Sequence, residues 1–153
     1  MTKINSFKII GISVRTTNQD NQSSEDIGKL WERFFAENVA EKIHNKISNN
    51  IYSIYTDYKS NYTEDYTTIL GLTVSSLENI PEGLIGRHFA GDEFEVFTAK
   101  GEMPNAVANT WLGIWQQDDE LDRKYTYDFE VYDEKSQNGD ESEVNIYIAT
   151  NKN

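Results

Sequence analysis

The chain has 153 residues, 14 basic against 26 acidic side chains, and a formal net charge of −12. That length fits one domain with a sizeable core, while the acidic balance excludes the basic stripe of a nucleic-acid-binding module and disfavours an anionic membrane partner. With no cysteine, disulfides, thiolate metal sites and cysteine nucleophiles are excluded as well.

No stretch approaches the roughly 18 apolar residues of a spanning helix. Met1 to Ser6 has neither an apolar core nor a small-residue cleavage site, so no signal peptide is expected and the expected location is cytoplasmic.

Phe7 to Val14 is rich in Ile and Val and reads as a strand, with Gly11 marking a bulge or a close backbone approach. Ser23 and Ser24 before Glu25-Asp26 predict a helix start with a weak capping box between Ser23 and Asp26. Ile27, Leu30, Trp31, Phe34 and Phe35 then form one apolar helical stripe, which Ile43 and Ile47 extend until Asn49-Asn50 stops it. Ile51 to Tyr58 and Tyr66 to Val74 predict a hairpin. After Pro81-Glu82-Gly83 come two strand pieces, Leu84 to Phe89 and Glu93 to Thr98. Pro104 opens a second helix, whose face carries Val107, Ala108, Trp111, Ile114 and Trp115. Tyr125 to Tyr132 and Val144 to Ala149 are the last strands.

The order is β-α-β-β followed by β-α-β-β. Asp57-Tyr58-Lys59-Ser60 and Asp133-Glu134-Lys135-Ser136 close equivalent strands, and the same offset aligns Phe35 with Trp111. One domain over 1–153 is therefore expected, with internal repeats over about 7–76 and 84–150. The expected class is α+β: a pseudo-twofold duplication of a βαββ unit, an antiparallel sheet with two helices, and a ligand groove between the halves.

Enzyme motifs are scarce. There is no P-loop, GxSxG, HExxH or GxGxxG, and the histidines His44 and His88 lack a third ligand at metal spacing. No cofactor is expected. In Tyr125 to Tyr132, alternation puts Tyr125, Tyr127, Phe129 and Val131 on one face and Thr126, Asp128, Glu130 and Tyr132 on the other. From spacing alone Glu130 is either a solvated strand carboxylate or a groove carboxylate among aromatics. In the second case an unpaired buried charge would seek a cation from outside. Trp31, Trp111, Trp115, Tyr52, Phe97, Tyr132 and Tyr147 are either ordinary packing or the walls of such an aromatic cage.

Several stretches resemble the GyrI-like small-molecule-binding superfamily, the effector-binding domain of AraC-type regulators, and above all its stand-alone members found as mobile gene-cassette proteins. They are Lys29 to Phe35, Ile54 to Tyr58, Ala90 to Gly101, Trp111 to Trp115 and Asp128 to Tyr132. Their order and spacing cover nearly the whole chain. The resemblance implies a hydrophobic groove in which a glutamate on the penultimate strand meets lipophilic cations; the matching position is Glu130. It further implies Tyr132, Trp31 and Tyr147 as pocket residues, and Tyr52 less directly, since the repeat offset sets Tyr52 opposite Asp128. Trp111 and Trp115 are added from their helix face alone. The strand pattern starts within ten residues and ends just before the C-terminus, leaving no stretch for a helix-turn-helix domain. Direct nucleic-acid binding is therefore not expected. Three functions remain in view: capture of lipophilic cations, hydrolysis of a small molecule with Glu130 as general base, and binding to a regulator or topoisomerase, as some members do.

Overall fold

The computed structural model describes residues Met1–Asn151. Strands β1 (Thr2–Ile4) and β2 (Phe7–Thr16) lead into helix α1 (Gln22–Ala36) and the one-turn helix α2 (Val39–Lys42). Strands β3 (Ile51–Thr56), β4 (Tyr66–Val74), β5 (Ile85–Phe89) and β6 (Asp92–Lys100) follow. Then come α3 (Asn105–Gln116), the one-turn α4 (Asp118–Leu121), β7 (Tyr127–Tyr132) and β8 (Glu143–Ala149). The eight strands make one antiparallel sheet in the order β1-β6-β8-β7-β3-β4-β2-β5.

Two trios, β2-β4-β3 and β6-β8-β7, meet along the β3–β7 seam. Each trio has its own helix inserted after its first strand, so the α+β class read from the sequence is the observed one. Leu84–Phe89 departs from the expected grouping. Instead of opening the second unit, β5 pairs with β2 at the far edge of the first trio, while β1 pairs with β6 at the other edge. Only Ala90 and Gly91 separate β5 from β6, although β5 is the edge strand at one end of the sheet and β6 is the last but one at the other. A link that short spans about 10 Å at most, so the sheet must curl until its ends approach.

The aromatic rings report the same curl. Phe7 on β2 and Phe129 on β7 are three strands apart, about 14 Å along a flat sheet, yet their ring centroids are 5.6 Å apart. The inner face of this half-barrel is closed by Phe7, Phe89, Phe94, Tyr127 and Phe129 with Ile9, Ile54 and Ile69. Gly11 opposes Gly71 at the tightest approach: a Cβ on Gly11 would stand 1.9 Å from the Leu70 carbonyl oxygen. The expected close approach is therefore present, and only glycine fits it.

Both helices pack on the outer face. In α1, Leu30 and Phe34 are buried against Ile10, Ile12, Leu70 and Leu72. Phe35, counted in the same stripe, is 60% exposed; one residue on from Phe34 it is turned about 100° away, out of the contact. The helix begins at Gln22, one residue ahead of the expected cap. The capping box does not form, because the Asp26 carboxylate instead accepts from Thr16 Oγ1 (2.9 Å) and Gln22 Nε2 (3.0 Å). Asn38 in the left-handed region (φ 50°) ends the α1 axis well before Asn49, and of the two late apolar residues Ile43 is buried while Ile47 is exposed. Helix α3 buries Ala106, Val107 and Ile114 against Ala99, Val144, Ile146 and Ile148. Helix α1 thus covers β2 and β4, α3 covers β6, and the seam strands β3 and β7 lie between the helices. Among the described residues no helix is long and apolar enough to cross a membrane.

Candidate ligand-binding site

A cavity of about 510 Å³ opens between α1 and α3 above the β3–β7 seam. Its volume is in the range that holds a drug-sized molecule. Tyr55, Glu130 and Tyr132 form the floor, Ile27, Gly28 and Trp31 of α1 one wall, and Val107, Trp111 and Trp115 of α3 the other. Tyr58, Tyr62 and Arg123 close one end. Strand alternation decides the floor. Ser53 lies opposite Glu130 on β3 and Ile146 lies opposite it on β8, and cross-strand partners share a face.

Glu130 is buried, with 1% of its surface exposed. Its Oε2 accepts from Tyr55 Oη (2.8 Å) and Trp111 Nε1 (2.5 Å), and its Oε1 accepts from Tyr132 Oη (2.6 Å). Ser53 Oγ in turn donates to Tyr55 Oη (3.1 Å). All three donors to the carboxylate are neutral. Burial pushes the Glu130 carboxyl above its usual range, and the hydrogen bonds from Tyr132, Trp111 and Tyr55 pull it partly back. The hydroxyls of Tyr55 and Tyr132 are pushed well up, first by burial and then by the Glu130 charge, which keeps both protonated as donors.

A second acidic residue of the same strand face is fully neutralised. Asp128 receives Arg123 Nη2 (2.7 Å), Tyr58 Oη (2.6 Å) and the Ala149 backbone N–H (2.9 Å). Asp118 lies 3.7 Å from Arg123 Nη1 and accepts the Tyr125 hydroxyl. Burial works against the Arg123 charge, but Asp128 outweighs it with help from Tyr58 and Tyr125, and the guanidinium is held above its ordinary pKa.

Of the residues singled out from the sequence, Glu130, Tyr132, Trp31, Trp111 and Trp115 line the cavity. Tyr147 and Tyr52 do not. Tyr147 pairs with Phe129 and stacks on its ring (4.6 Å between centroids), and Tyr52 stacks on the same ring (5.6 Å), so both belong to the inner face. Each is one strand position away from the parity of Glu130, and one position reverses the face. Phe97 lies on the α3 side but packs beneath that helix, outside the cavity lining. The sequence reading missed Tyr55, Tyr58, Tyr62, Tyr66 and Arg123. Tyr55 carried no signal of its own, since only the register sets Ser53, two residues before it, opposite Glu130. Arg123 did carry one, as the first base after the acidic run from Asp118 to Asp122. Asp57 at φ 52° redirects the chain after β3, which no periodicity anticipates, and brings Tyr58 to the cavity end.

Among known proteins, the integron cassette protein VCH_CASS2 of Vibrio cholerae is 30% identical, with a TM-score of 0.73, over 97% of this chain and 92% of its own. YobU of Bacillus subtilis (strain 168), named as a candidate transcriptional regulator, is 26% identical over 99% of this chain and 97% of its own. The structure of SAV2435 bound to tetraphenylphosphonium shares the fold at 18% identity, with a TM-score of 0.78 over 96% of this chain and 90% of its own. The family model for Cass2, the integron-associated effector-binding protein, matches residues 1–150. The chain therefore belongs to the Cass2 family of integron-associated effector-binding proteins, a small-molecule-binding group of the GyrI-like fold.

Proposed function

We propose that this protein binds lipophilic monocations in the cavity between α1 and α3, with Glu130 as the counter-charge. The observation that carries this reading is the Glu130 carboxylate, buried at the cavity floor and held only by neutral donors. Three such hydrogen bonds make ionisation tolerable and leave a full negative charge without a cation. Trp31, Trp111 and Tyr132 surround it, and their ring faces attract a delocalised or quaternary cation. Apolar area removed from water adds about 25 cal/mol per Å². That SAV2435, of the same fold, carries tetraphenylphosphonium supports the reading. Three side-chain donors also crowd the carboxylate that hydrolysis would need as a base toward water, which favours capture over turnover.

Calorimetric titration with tetraphenylphosphonium, with tetraphenylborate as the anionic match and triphenylphosphine oxide as the neutral one, tests it. Binding of the cation, none of the anion, and a loss of at least about tenfold in Glu130→Gln are expected. Gln keeps the shape: its carbonyl accepts from Tyr55 and Trp111, and its amide donates to the Tyr132 oxygen. Equal affinity in Glu130→Gln would remove Glu130 as the counter-charge.

A further inference from the structure

The two acidic residues facing outward from β7 differ in one respect: Asp128 has a resident cation and Glu130 has none. Among the described residues Arg123 is the one basic side chain lining the cavity, and Glu130 is the one acidic side chain. The Arg123 side chain is 1% exposed. Its guanidinium carbon lies 4.3 Å from the ring centroid of Tyr125, 5.6 Å from that of Trp111 and 5.9 Å from that of Tyr58. Three aromatic rings and the Asp128 carboxylate thus form a cation site that the protein fills with its own side chain. Trp111 joins the two sites, giving its N–H to Glu130 and a ring face to Arg123. Asp128 and Glu130 are two strand residues apart, about 6.6 Å along the chain.

We infer that Arg123 is a specificity-determining residue, which occupies the second cation site of the cavity and thereby restricts it to ligands with a single positive charge. The inference rests on the cation-binding reading of Glu130. A monocation takes the open side of Glu130, toward Trp31 and Tyr132, and its apolar remainder runs toward Trp115 and Tyr62. The end wall then has an apolar surface and a fixed positive charge beneath it. A second positive centre within several ångströms of the first finds Asp128 already held by Arg123 (2.7 Å), so it loses water there without gaining a counter-charge. Removing Arg123 alone inverts the situation. Asp128 becomes a second carboxylate without a cation, spaced from Glu130 to suit a dication.

Ethidium and propidium share one ring system and differ by a second, quaternary charge on a side chain, so their affinity ratio isolates that charge. It is to be measured by fluorescence titration at moderate salt, where diffuse attraction to the acidic surface is screened. Wild type is expected to favour ethidium by about tenfold or more, Arg123→Met to reverse or erase that preference, and Arg123→Met/Asp128→Asn to fall between them. The double variant removes Arg123 and Asp128 together, leaving Glu130 the buried carboxylate without a cation as in wild type, and carries the comparison if Arg123→Met does not fold; its preference must then be weaker than wild type. Ethidium binding with the ratio unchanged in the folded variants overturns the role of Arg123 and leaves Glu130 intact. Binding of neither dye by wild type overturns the cation reading, and this inference with it.

Discussion

The Glu130 carboxyl is set by two opposed influences that separate experiments can reach. Burial raises its pKa, and donors from Tyr132, Trp111 and Tyr55 lower it. Cation binding needs the ionised form, so it is complete above the carboxyl's raised pKa in the free protein and is lost as pH falls through that value. The loss therefore begins above the ordinary carboxylate range of about 4.3. Trp111→Phe keeps an aromatic face toward the ligand but deletes the 2.5 Å bond to Oε2. A hydrogen bond to a charged group contributes about 1.5–3 kcal/mol, so the midpoint of binding against pH should move upward by about one to two units. Calorimetry with tetraphenylphosphonium across the acid range measures it; an unmoved midpoint would mean that Trp111 does not tune Glu130. The sequence made the carboxylate and its immediate aromatics legible, because alternation along β7 puts Asp128, Glu130 and Tyr132 on one face. It did not make their partners legible. Which residues of β3 and β8 share that face depends on register, and register belongs to the folded sheet rather than to either strand. Tyr147 and Tyr52, which the resemblance implies as pocket residues, are placed on the inner face by that register.

The cavity exists because two helices stand apart over a seam that neither covers. Helix α1 is anchored by Leu30 and Phe34, not by the whole five-residue stripe. Phe34→Ala removes a ring that is 1% exposed and should cost about 3–5 kcal/mol. Phe35→Ala removes an exposed ring that touches Trp31 (5.9 Å between centroids) and should change stability by less than about 1 kcal/mol. Denaturant midpoints of the two variants check the pair, and equal losses would contradict the observed anchoring of α1. Elements with a local period were readable in the chain: both helices and the seven longer strands emerge from spacings of 3.6 and 2. The placing of β5 on β2 and of β1 on β6 was not. Those contacts arise from closure of the curl, which two residues, Ala90 and Gly91, enforce across the ends of the sheet.

At the scale of the molecule, a net charge of −12 attracts any cation, so affinity alone does not distinguish the cavity from the surface. Location and salt response do. Charges at the surface are screened over about 8 Å at physiological ionic strength, whereas a carboxylate at the floor of an aromatic cavity is screened much less. A ligand between α1 and α3 also touches both halves of the sheet and binds the folded chain alone, so it stabilises the whole fold by mass action. At a free concentration of one hundred times Kd that stabilisation is about 2.7 kcal/mol. For a domain of this size it corresponds to a rise in Tm of about 5–10 °C. Tetraphenylphosphonium should therefore raise Tm by that amount, and most of the shift should survive a move from low to moderate salt. Glu130→Gln should lose much of the shift at the same ligand concentration. Diffuse surface attraction predicts the reverse pattern: a small shift that salt abolishes and that is equal in wild type and Glu130→Gln. Thermal melts of both proteins at two ionic strengths decide between the patterns, and the second pattern would place the bound cation outside the cavity.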